Sequence, residues 1–283
     1  MRTRLDPSTL RLALAVSTRA PSVHNTQPWR WVSEAGALHL LADRTGLNRA
    51  APEHRDVEIS CGAALHHLTT ALAALGARVA IRTTPSSSDP DLLATVNAVG
   101  PHTPSAADLA MAGAIGTRRT ERRPLSPCPV PTDLLDVLRT RAVNHGVQLT
   151  PITGDVERHR FAVALDHTVA TSPWPAVDEG PAGLLIILST SADDTAARVH
   201  TGQATSAILL TATAMGLASR ALSQPLADPH YRAEIRDRLL RGSHAPHLIL
   251  RIGHGQPVAP HLPRTPRRPW TECYTELSES PSG

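Results

Sequence analysis

The strongest constraint on the fold is a pattern that occurs twice in the sequence: a short apolar strand followed by a long helix marked with glycines. The predicted strands span Leu38–Ala42 and Leu184–Leu188. A shift of 140 residues places the helical markers of the first copy on those of the second, namely Gly62 on Gly202, Ala64 on Ala204, Leu68 on Ile208 and Gly76 on Gly216. Chance could supply two glycines at one offset, but the shared order favours duplication. Two copies are too few for a solenoid, so we expect two pseudo-symmetric halves, 1–100 and 101–283, like a homodimer fused into one chain.

Hydrophobic periodicity predicts the other elements. A repeat near 3.6 residues predicts helices over 5–17, 56–75, 106–115, 131–145, 195–217 and 230–241. Alternating or wholly apolar runs predict strands over 29–32, 38–42, 79–83, 184–188 and 247–252. Residues 33–36 resemble a hairpin turn, and the Pro- and Arg-rich tail from Gly253 is predicted to be extended.

The composition excludes several classes of function. Only 2% of the residues are aromatic, so the core must be built from Ala, Leu, Val and Ile. All 28 basic residues are Arg, which excludes a lysine Schiff base or a lysine proton relay. The net charge of +3 is too mild to indicate nucleic-acid binding.

Cysteine and histidine usage indicates neither a disulfide framework nor a metal site. Cys61, Cys128 and Cys273 lack C-x-x-C spacing and suit reduced thiols. His66-His67 and the pair His244 and His247 lack the spacing with a carboxylate that zinc requires, so we predict no metal site. No run reaches the roughly 18 apolar residues of a membrane span. We therefore expect a soluble cytoplasmic protein without a signal peptide.

The segment Pro21–Trp29 is packed with short polar side chains between a predicted helix and a predicted strand. Ser22, Asn25 and Gln27 carry hydroxyl and amide groups that could meet the edge of a heteroaromatic ring without adding charge. The alternative is an ordinary capped turn, in which Asn and Ser are common.

Arginine is densest in two places, residues 118–123 and 267–268. Guanidinium groups bind phosphate strongly, so Arg118, Arg122, Arg267 and Arg268 are candidate phosphate ligands. The alternatives are a charged helix end for the first cluster and a solvated basic tail for the second.

Four marks together resemble the nitroreductase-like flavoprotein family. Pro21–Trp29 matches the family's Pro-Ser-x-x-Asn-x-Gln-Pro-Trp stretch in full, and Arg118–Arg122 matches its basic-x-Ser/Thr-x-basic stretch. Gly216-Leu217 matches a Gly-Leu pair that leads to a turn near flavin N5, here Ser223-Gln224. Arg267-Arg268 matches a basic cluster after the last strand.

The order of these marks is similar to that in the Acg-like, single-chain tandem-repeat branch of the family, because the Pro-Ser stretch comes first. The resemblance implies an α+β fold, with two pseudo-symmetric halves around a mostly antiparallel sheet and one flavin mononucleotide (FMN) per chain. It implies that the first half supplies one wall of the site and the second half the rest. The implied cofactor-binding residues are Pro21, Ser22, Asn25, Gln27, Arg118, Arg119, Thr120, Arg122, Ser223, Gln224, Arg267 and Arg268.

The resemblance implies reduction of nitro, quinone or related electron-poor compounds with NAD(P)H, by hydride transfer through flavin N5. The flavin supplies this chemistry, so we predict no catalytic side chain. Ser223-Gln224 departs from the acidic-Gly pair of many relatives, and the family lysine near N1 is missing. Two alternatives remain open: a flavin-storage protein with little turnover, or a flavin-dependent dehydrogenase of a biosynthetic substrate. Beyond the pseudo-dimer, further association of chains is left open.

Overall fold

The computed structural model describes residues 5–45, 53–83, 89–169, 182–256 and 264–277. Its helices are α1 Pro7–Ser17, α2 Glu53–Ala74, α3 Ala106–Thr117, α4 Leu134–Val143, α5 Asp155–Val169, α6 Thr195–Ala214 and α7 Pro229–Leu239. Its strands are β1 Trp29–Glu34, β2 Ala37–Ala42, β3 Ala77–Arg82, β4 Leu92–Pro101, β5 Gln148–Pro151, β6 Leu184–Thr190, β7 Ala218–Leu222, β8 Ala245–Gly253 and β9 Tyr274–Glu276. None of the helices in these ranges is both long and apolar enough to cross a membrane.

The chain forms two compact units. The first comprises Met1–Gly116, Asp194–Ser206 and Thr265–Gly283 and holds a five-stranded sheet in the order β3-β4-β2-β1-β9. The second comprises Thr117–Asp193 and Ala207–Arg264 and holds a four-stranded sheet in the order β5-β6-β8-β7. Every pairing in the two sheets is antiparallel except that of β1 with β9. The predicted α+β class and mostly antiparallel pairing are therefore confirmed, with the strands divided between two sheets.

The packing units do not follow the predicted halves 1–100 and 101–283. The tail from Thr265 and the first part of α6 belong to the same unit as the N-terminal residues. These units describe how the chain packs and do not show whether its sequence arose by duplication. The two repeated halves therefore remain a prediction.

The β1–β2 hairpin is the clearest local success of the sequence analysis. Trp29 pairs with Ala42 at one end and Glu34 with Ala37 at the other. The two turn residues, Ala35 and Gly36, have φ of +47° and +77°, as a two-residue turn between twisted strands requires. Alternation along β1 buries Trp29 and Trp31 in the core of the first unit, each 1% exposed.

Several elements were not predicted from the sequence: β4, β5, α5, β7 and β9. The shortest is β9, whose three residues carry no periodic signal of their own. It forms because β1 offers a free edge, where the Trp31 N–H donates to the Cys273 carbonyl at 2.6 Å and the Leu277 N–H donates to Ser33 at 2.9 Å. A segment this short is a strand only through its partner.

Within the first unit, α2 crosses the residues of α6 that belong to that unit at two glycines. An ideal Cβ on Gly62 would lie 2.0 Å from the Val199 carbonyl oxygen, and one on Gly202 would lie 2.0 Å from the Ile59 carbonyl oxygen. Only glycine allows the two backbones to approach so closely. The two contacts are equivalent, because Gly202 lies 140 residues after Gly62 and Val199 lies 140 residues after Ile59.

Candidate functional site

The Pro-Ser loop, residues 21–28, joins α1 to β1 through strained backbone. His24, Asn25 and Gln27 have φ of +46°, +60° and +52°. Left-handed conformations are uncommon outside glycine and asparagine and cost about 1 kcal/mol or more per residue. Three such residues within four positions indicate a loop whose shape is imposed by its contacts. Strain of this kind is concentrated at functional sites.

Two serine hydroxyls hold the loop in place. The Ser22 hydroxyl accepts from the Gln27 N–H at 3.0 Å, which closes the loop on itself. The Ser60 hydroxyl, on α2, accepts from the Val23 N–H at 3.1 Å. The loop therefore rests on the central helix of the first unit. Ser60 was not singled out in the sequence, because a serine within an amphipathic helix carries no local signal.

The loop also binds the C-terminal segment. The Asn25 side-chain oxygen accepts from Arg267 Nη1 at 2.8 Å, and its Nδ2 donates to the Pro266 carbonyl at 3.2 Å. The Gln27 side-chain oxygen accepts from the Arg268 N–H at 2.9 Å. Asn25 and Gln27 therefore meet Arg267 and Arg268, predicted site residues 241 or 242 positions away in the chain, in one cluster.

The charges near this cluster are mixed. Arg268 lies 3.6 Å from a Glu272 carboxylate oxygen, and its charge also acts on Asp43. The hydrogen bond from the Thr45 hydroxyl, the backbone hydrogen bond from Thr45 and the charges of Arg268 and Arg30 hold the pKa of Asp43 below its ordinary value. Asp43 is therefore ionised at neutral pH and offsets part of the positive potential.

The second unit carries the other predicted residues. Arg118 is buried at 6% exposure, and its carbonyl accepts from Arg119 Nη1 at 2.7 Å. Thr120 forms a parallel bridge with Ser219 at the start of β7, and the Glu121 N–H donates to the Ser219 carbonyl at 2.9 Å. The basic stretch after α3 is thus fixed beside β7 and is not a loose, charged helix end.

Ser223 and Gln224 follow β7 directly. Ser223 is buried, and a short 3-10 turn spans Gln224–Ala227. The Gln224 side-chain oxygen is buried and accepts no hydrogen bond from any residue that the structure describes. A buried acceptor without a donor costs about 1–3 kcal/mol, so this position suits a ligand with an N–H or O–H group.

The structure therefore places the predicted residues in two groups. Ser22, Asn25, Gln27, Arg267 and Arg268 meet in the first unit, where Pro21 opens the loop. Arg118, Arg119, Thr120, Arg122, Ser223 and Gln224 belong to the second unit. The family resemblance implied that Arg267 and Arg268 belong to the second half, together with Arg118. The assignment differs from the packing because the tail runs back to β1 and adds β9 to the first sheet.

The other candidate groups have structural roles. Cys61 is fully buried on α2, its thiol donates to the Pro28 carbonyl at 3.1 Å, and burial raises its pKa well above the ordinary value. His66 and His67 both lie 2.8 Å from the Ser206 hydroxyl. Across the described ranges, no three His, Cys, Asp or Glu side chains are grouped to hold a metal ion.

Thiol labelling should separate the three cysteines. Cys61 and Cys273 are 0% and 1% exposed, whereas Cys128 is exposed. Burial also raises the pKa of Cys273, which lowers its thiolate fraction. We expect a disulfide reagent to modify one thiol per chain in the native protein and three after denaturation. Fast labelling of two or more native thiols, or loss of the fast phase in any variant other than Cys128→Ser, would contradict this assignment.

Comparison with known proteins assigns the chain to a class of oxidoreductases. It is 34% identical over 311 aligned residues to the "Putative NAD(P)H nitroreductase Rv3131" of Mycobacterium tuberculosis, an alignment that covers 93% of this chain and 90% of that protein. It is 26% identical over 323 aligned residues to the "Putative NAD(P)H nitroreductase acg" of the same organism, covering 96% and 97%. The chain belongs to the NAD(P)H nitroreductase family.

Solved structures give a weaker likeness. An FMN-bound nitroreductase from Bacteroides fragilis is 19% identical, with a TM-score of 0.44, and the alignment covers 56% of this chain and 94% of that one. The NADPH:FMN oxidoreductase of Vibrio harveyi in complex with NAD+ is 16% identical, with a TM-score of 0.43 and coverage of 56% and 74%. No family model matches the chain. The family assignment therefore rests on the mycobacterial relatives.

Proposed function

We propose that the protein binds FMN and uses NAD(P)H to reduce nitro compounds, quinones or related electron-poor molecules. The observation that carries the proposal is the meeting of the Pro-Ser loop with Arg267 and Arg268, in a chain that belongs to the NAD(P)H nitroreductase family. Bound FMN would supply the redox chemistry, by accepting a hydride from the nicotinamide donor and passing it to the acceptor. No catalytic side chain is required for that transfer.

The residues present fit such a cofactor. A flavin ring carries neutral donors and acceptors, and the Gln224 side-chain oxygen is a buried acceptor that lacks a donor among the described residues. A phosphate needs cations, and the guanidinium groups of Arg118, Arg267 and Arg268 are fixed by hydrogen bonds or burial and do not extend freely into solvent. In this proposal, the Pro-Ser loop contacts the ring and the arginines hold the phosphate.

The proposed origin of the fold by duplication is supported by the helix crossing in the first unit. A two-fold relation requires that if residue i touches j, the equivalent of i also touches the equivalent of j. Gly62 against Val199 and Gly202 against Ile59 satisfy this rule at the offset of 140 that the sequence pattern predicted. In this proposal, the single chain takes the place of a homodimer and carries one flavin.

The visible spectrum of the purified protein tests the function. We expect flavin absorption, in the protein as isolated or after FMN is added, and bleaching of that absorption by NAD(P)H under anaerobic conditions. Reoxidation by a nitroaromatic or a quinone would complete the cycle. A protein that takes up no flavin would refute the proposal. A yellow protein that neither nicotinamide bleaches would favour the storage alternative.

Removal of two arginines tests the proposed phosphate contacts. We expect Arg118→Ala combined with Arg268→Ala to weaken FMN binding roughly 100-fold or more, since each hydrogen bond to a charged group contributes about 1.5–3 kcal/mol. Flavin fluorescence titration of the apoprotein measures the affinity. The matched control is Arg139→Ala with Arg236→Ala, which changes the net charge equally at exposed positions on α4 and α7. Equal affinity of the two double variants would show that only net charge matters.

A further inference from the structure

The side chains of Asn25 and Gln27 bind the C-terminal segment in this structure. We propose that they are positioning residues, which fasten residues 266–268 to the Pro-Ser loop and so hold the guanidinium groups of Arg267 and Arg268 ready for an anionic phosphate. The proposal rests on the proposed binding of FMN and assigns the two amides a role in organising the site. In this proposal, hydrogen bonds join the Pro-Ser loop to residues 266–268 even when no flavin is bound.

In each of the two amide side chains, the oxygen accepts one hydrogen bond and the nitrogen donates one. Asn25 accepts from Arg267 Nη1 and donates to the Pro266 carbonyl, so it holds one arginine by its side chain and the segment by its backbone. Gln27 accepts from the Arg268 N–H and donates to the Asn25 carbonyl at 3.3 Å. Because an amide has two lone pairs and two N–H groups, each side chain keeps capacity for one further contact at each end.

The backbone strain has a cause in this arrangement. Asn25 and Gln27 both have positive φ, although neither is glycine. Such conformations persist only where the surrounding contacts outweigh their cost. The bonds to residues 266–268 are contacts of that kind, since each is made only when the loop and the segment are in place together. The strained loop and the ordered segment therefore stabilise each other.

The neutrality of the two amides also matters. A carboxylate in place of Asn25 would bind the Arg267 guanidinium more strongly, but it would cancel the positive charge that an incoming phosphate needs. A neutral acceptor orients the guanidinium and leaves its charge in place. This explains why an amide suits position 25 even though an aspartate also tolerates positive φ.

Hydrogen exchange of the full-length, flavin-free protein tests the fastening directly. The variants are Asn25→Gly, which removes the amide and tolerates positive φ, and Gln27→Met, which keeps the side-chain length. We expect the backbone amides of Arg267, Arg268 and residues 270–274 to exchange roughly tenfold faster in each variant, because one or two hydrogen bonds are lost. Thr26→Ala is the control, since the Thr26 hydroxyl donates only within the loop, to the Val23 carbonyl. Amides of β2 report whether the first unit remains folded.

Unchanged exchange of residues 266–274 in both variants would overturn the proposal, whatever happens to flavin affinity. Should one variant unfold, as faster exchange of β2 would show, the other variant decides the outcome. If the wild-type protein binds no FMN, the proposed function fails, and the exchange result still decides whether the amides fasten the segment.

Flavin affinity provides a second readout. We expect Asn25→Gly and Arg267→Ala each to weaken FMN binding about tenfold and the double variant to lose less than the sum of the two, since the two residues share one hydrogen bond. Asn25→Asp should keep residues 266–274 protected and still weaken FMN binding. Fully additive losses would overturn the positioning role, and wild-type affinity in Asn25→Asp would overturn the argument that the acceptor at position 25 must be neutral.

Discussion

Gly62→Ala is expected to destabilise the protein by roughly 3 kcal/mol or more, although alanine is the better helix former. The added Cβ would lie 2.0 Å from the backbone oxygen of Val199, a distance that no rotamer change can relieve. The helices must therefore move apart, and the contacts on both sides of the crossing loosen. Gly202→Ala should have an effect of similar size, because its Cβ would lie 2.0 Å from the Ile59 oxygen. Chemical denaturation at constant protein concentration measures both.

The control for this substitution is Gly113→Ala, on the exposed surface of α3. Nothing lies within 4 Å of the position that its Cβ would occupy. Helix propensity alone should then raise the free energy of unfolding by up to about 1 kcal/mol. The double variant Gly62→Ala, Gly202→Ala should lose less than the sum of the two single variants, because one separation of the helices accommodates both methyl groups. A gain in stability for Gly62→Ala would contradict the close crossing.

Glu58→Ala is expected to lower the free energy of unfolding by roughly 3 kcal/mol, the scale found when one partner of a buried ion pair is removed. The Glu58 carboxylate is buried and accepts from Arg44 Nη2 at 2.7 Å, from Arg198 Nη1 at 3.1 Å and from the Thr195 hydroxyl at 3.2 Å. Without it, Arg44 keeps the Asp91 carboxylate, 2.9 Å from its Nε, but both guanidinium groups lose the buried acceptor that they share at the start of α2. The effect should appear in denaturation midpoints without a large change in the denaturant slope.

Asp136→Ala is the matched control for Glu58. Asp136 pairs with Arg139 at 2.6 Å on the surface of α4, with side chains 80% and 44% exposed. Exposed pairs of this kind contribute about 0.2–1 kcal/mol, so this variant should change stability little. Glu58→Gln should lie between the two, since it keeps an acceptor for the arginines and loses the charge. Equal losses for Glu58→Ala and Asp136→Ala would show that the buried carboxylate contributes no more than a surface charge.

Local chemistry made several parts of the fold predictable. The hairpin at Ala35 and Gly36 follows from a glycine, which tolerates positive φ, between two apolar runs, and the turn holds Ala35 at positive φ as well. The long helices α2 and α6 follow from their periodicity, and the glycines that marked both of them proved to be the points at which they meet. A pattern of small residues in a long helix carries tertiary information, because close approach is the main reason to place glycine there.

Other parts depended on partners distant in sequence. β7 has five residues and β9 has three, and neither is long enough to show a hydrophobic period. β9 forms because it pairs with the edge of β1. Ser60 holds the Pro-Ser loop through its hydroxyl in the first unit, and Ser219 holds the basic stretch through its carbonyl in the second. Any serine in the chain offers the same atoms, so only their placement distinguishes them.

The sequence by itself determined the family resemblance, the Pro-Ser loop and the four arginines that are candidate phosphate ligands, because each rests on residue types at short spacings. Only the tertiary structure decided that Asn25 and Gln27 bind the segment of Arg267 and Arg268, and that this segment lies in the unit of the N-terminal residues. The physical reason is that hydrogen bonds between residues more than 240 positions apart depend on where the chain returns. That return is set by the free edge of β1, which no local pattern encodes.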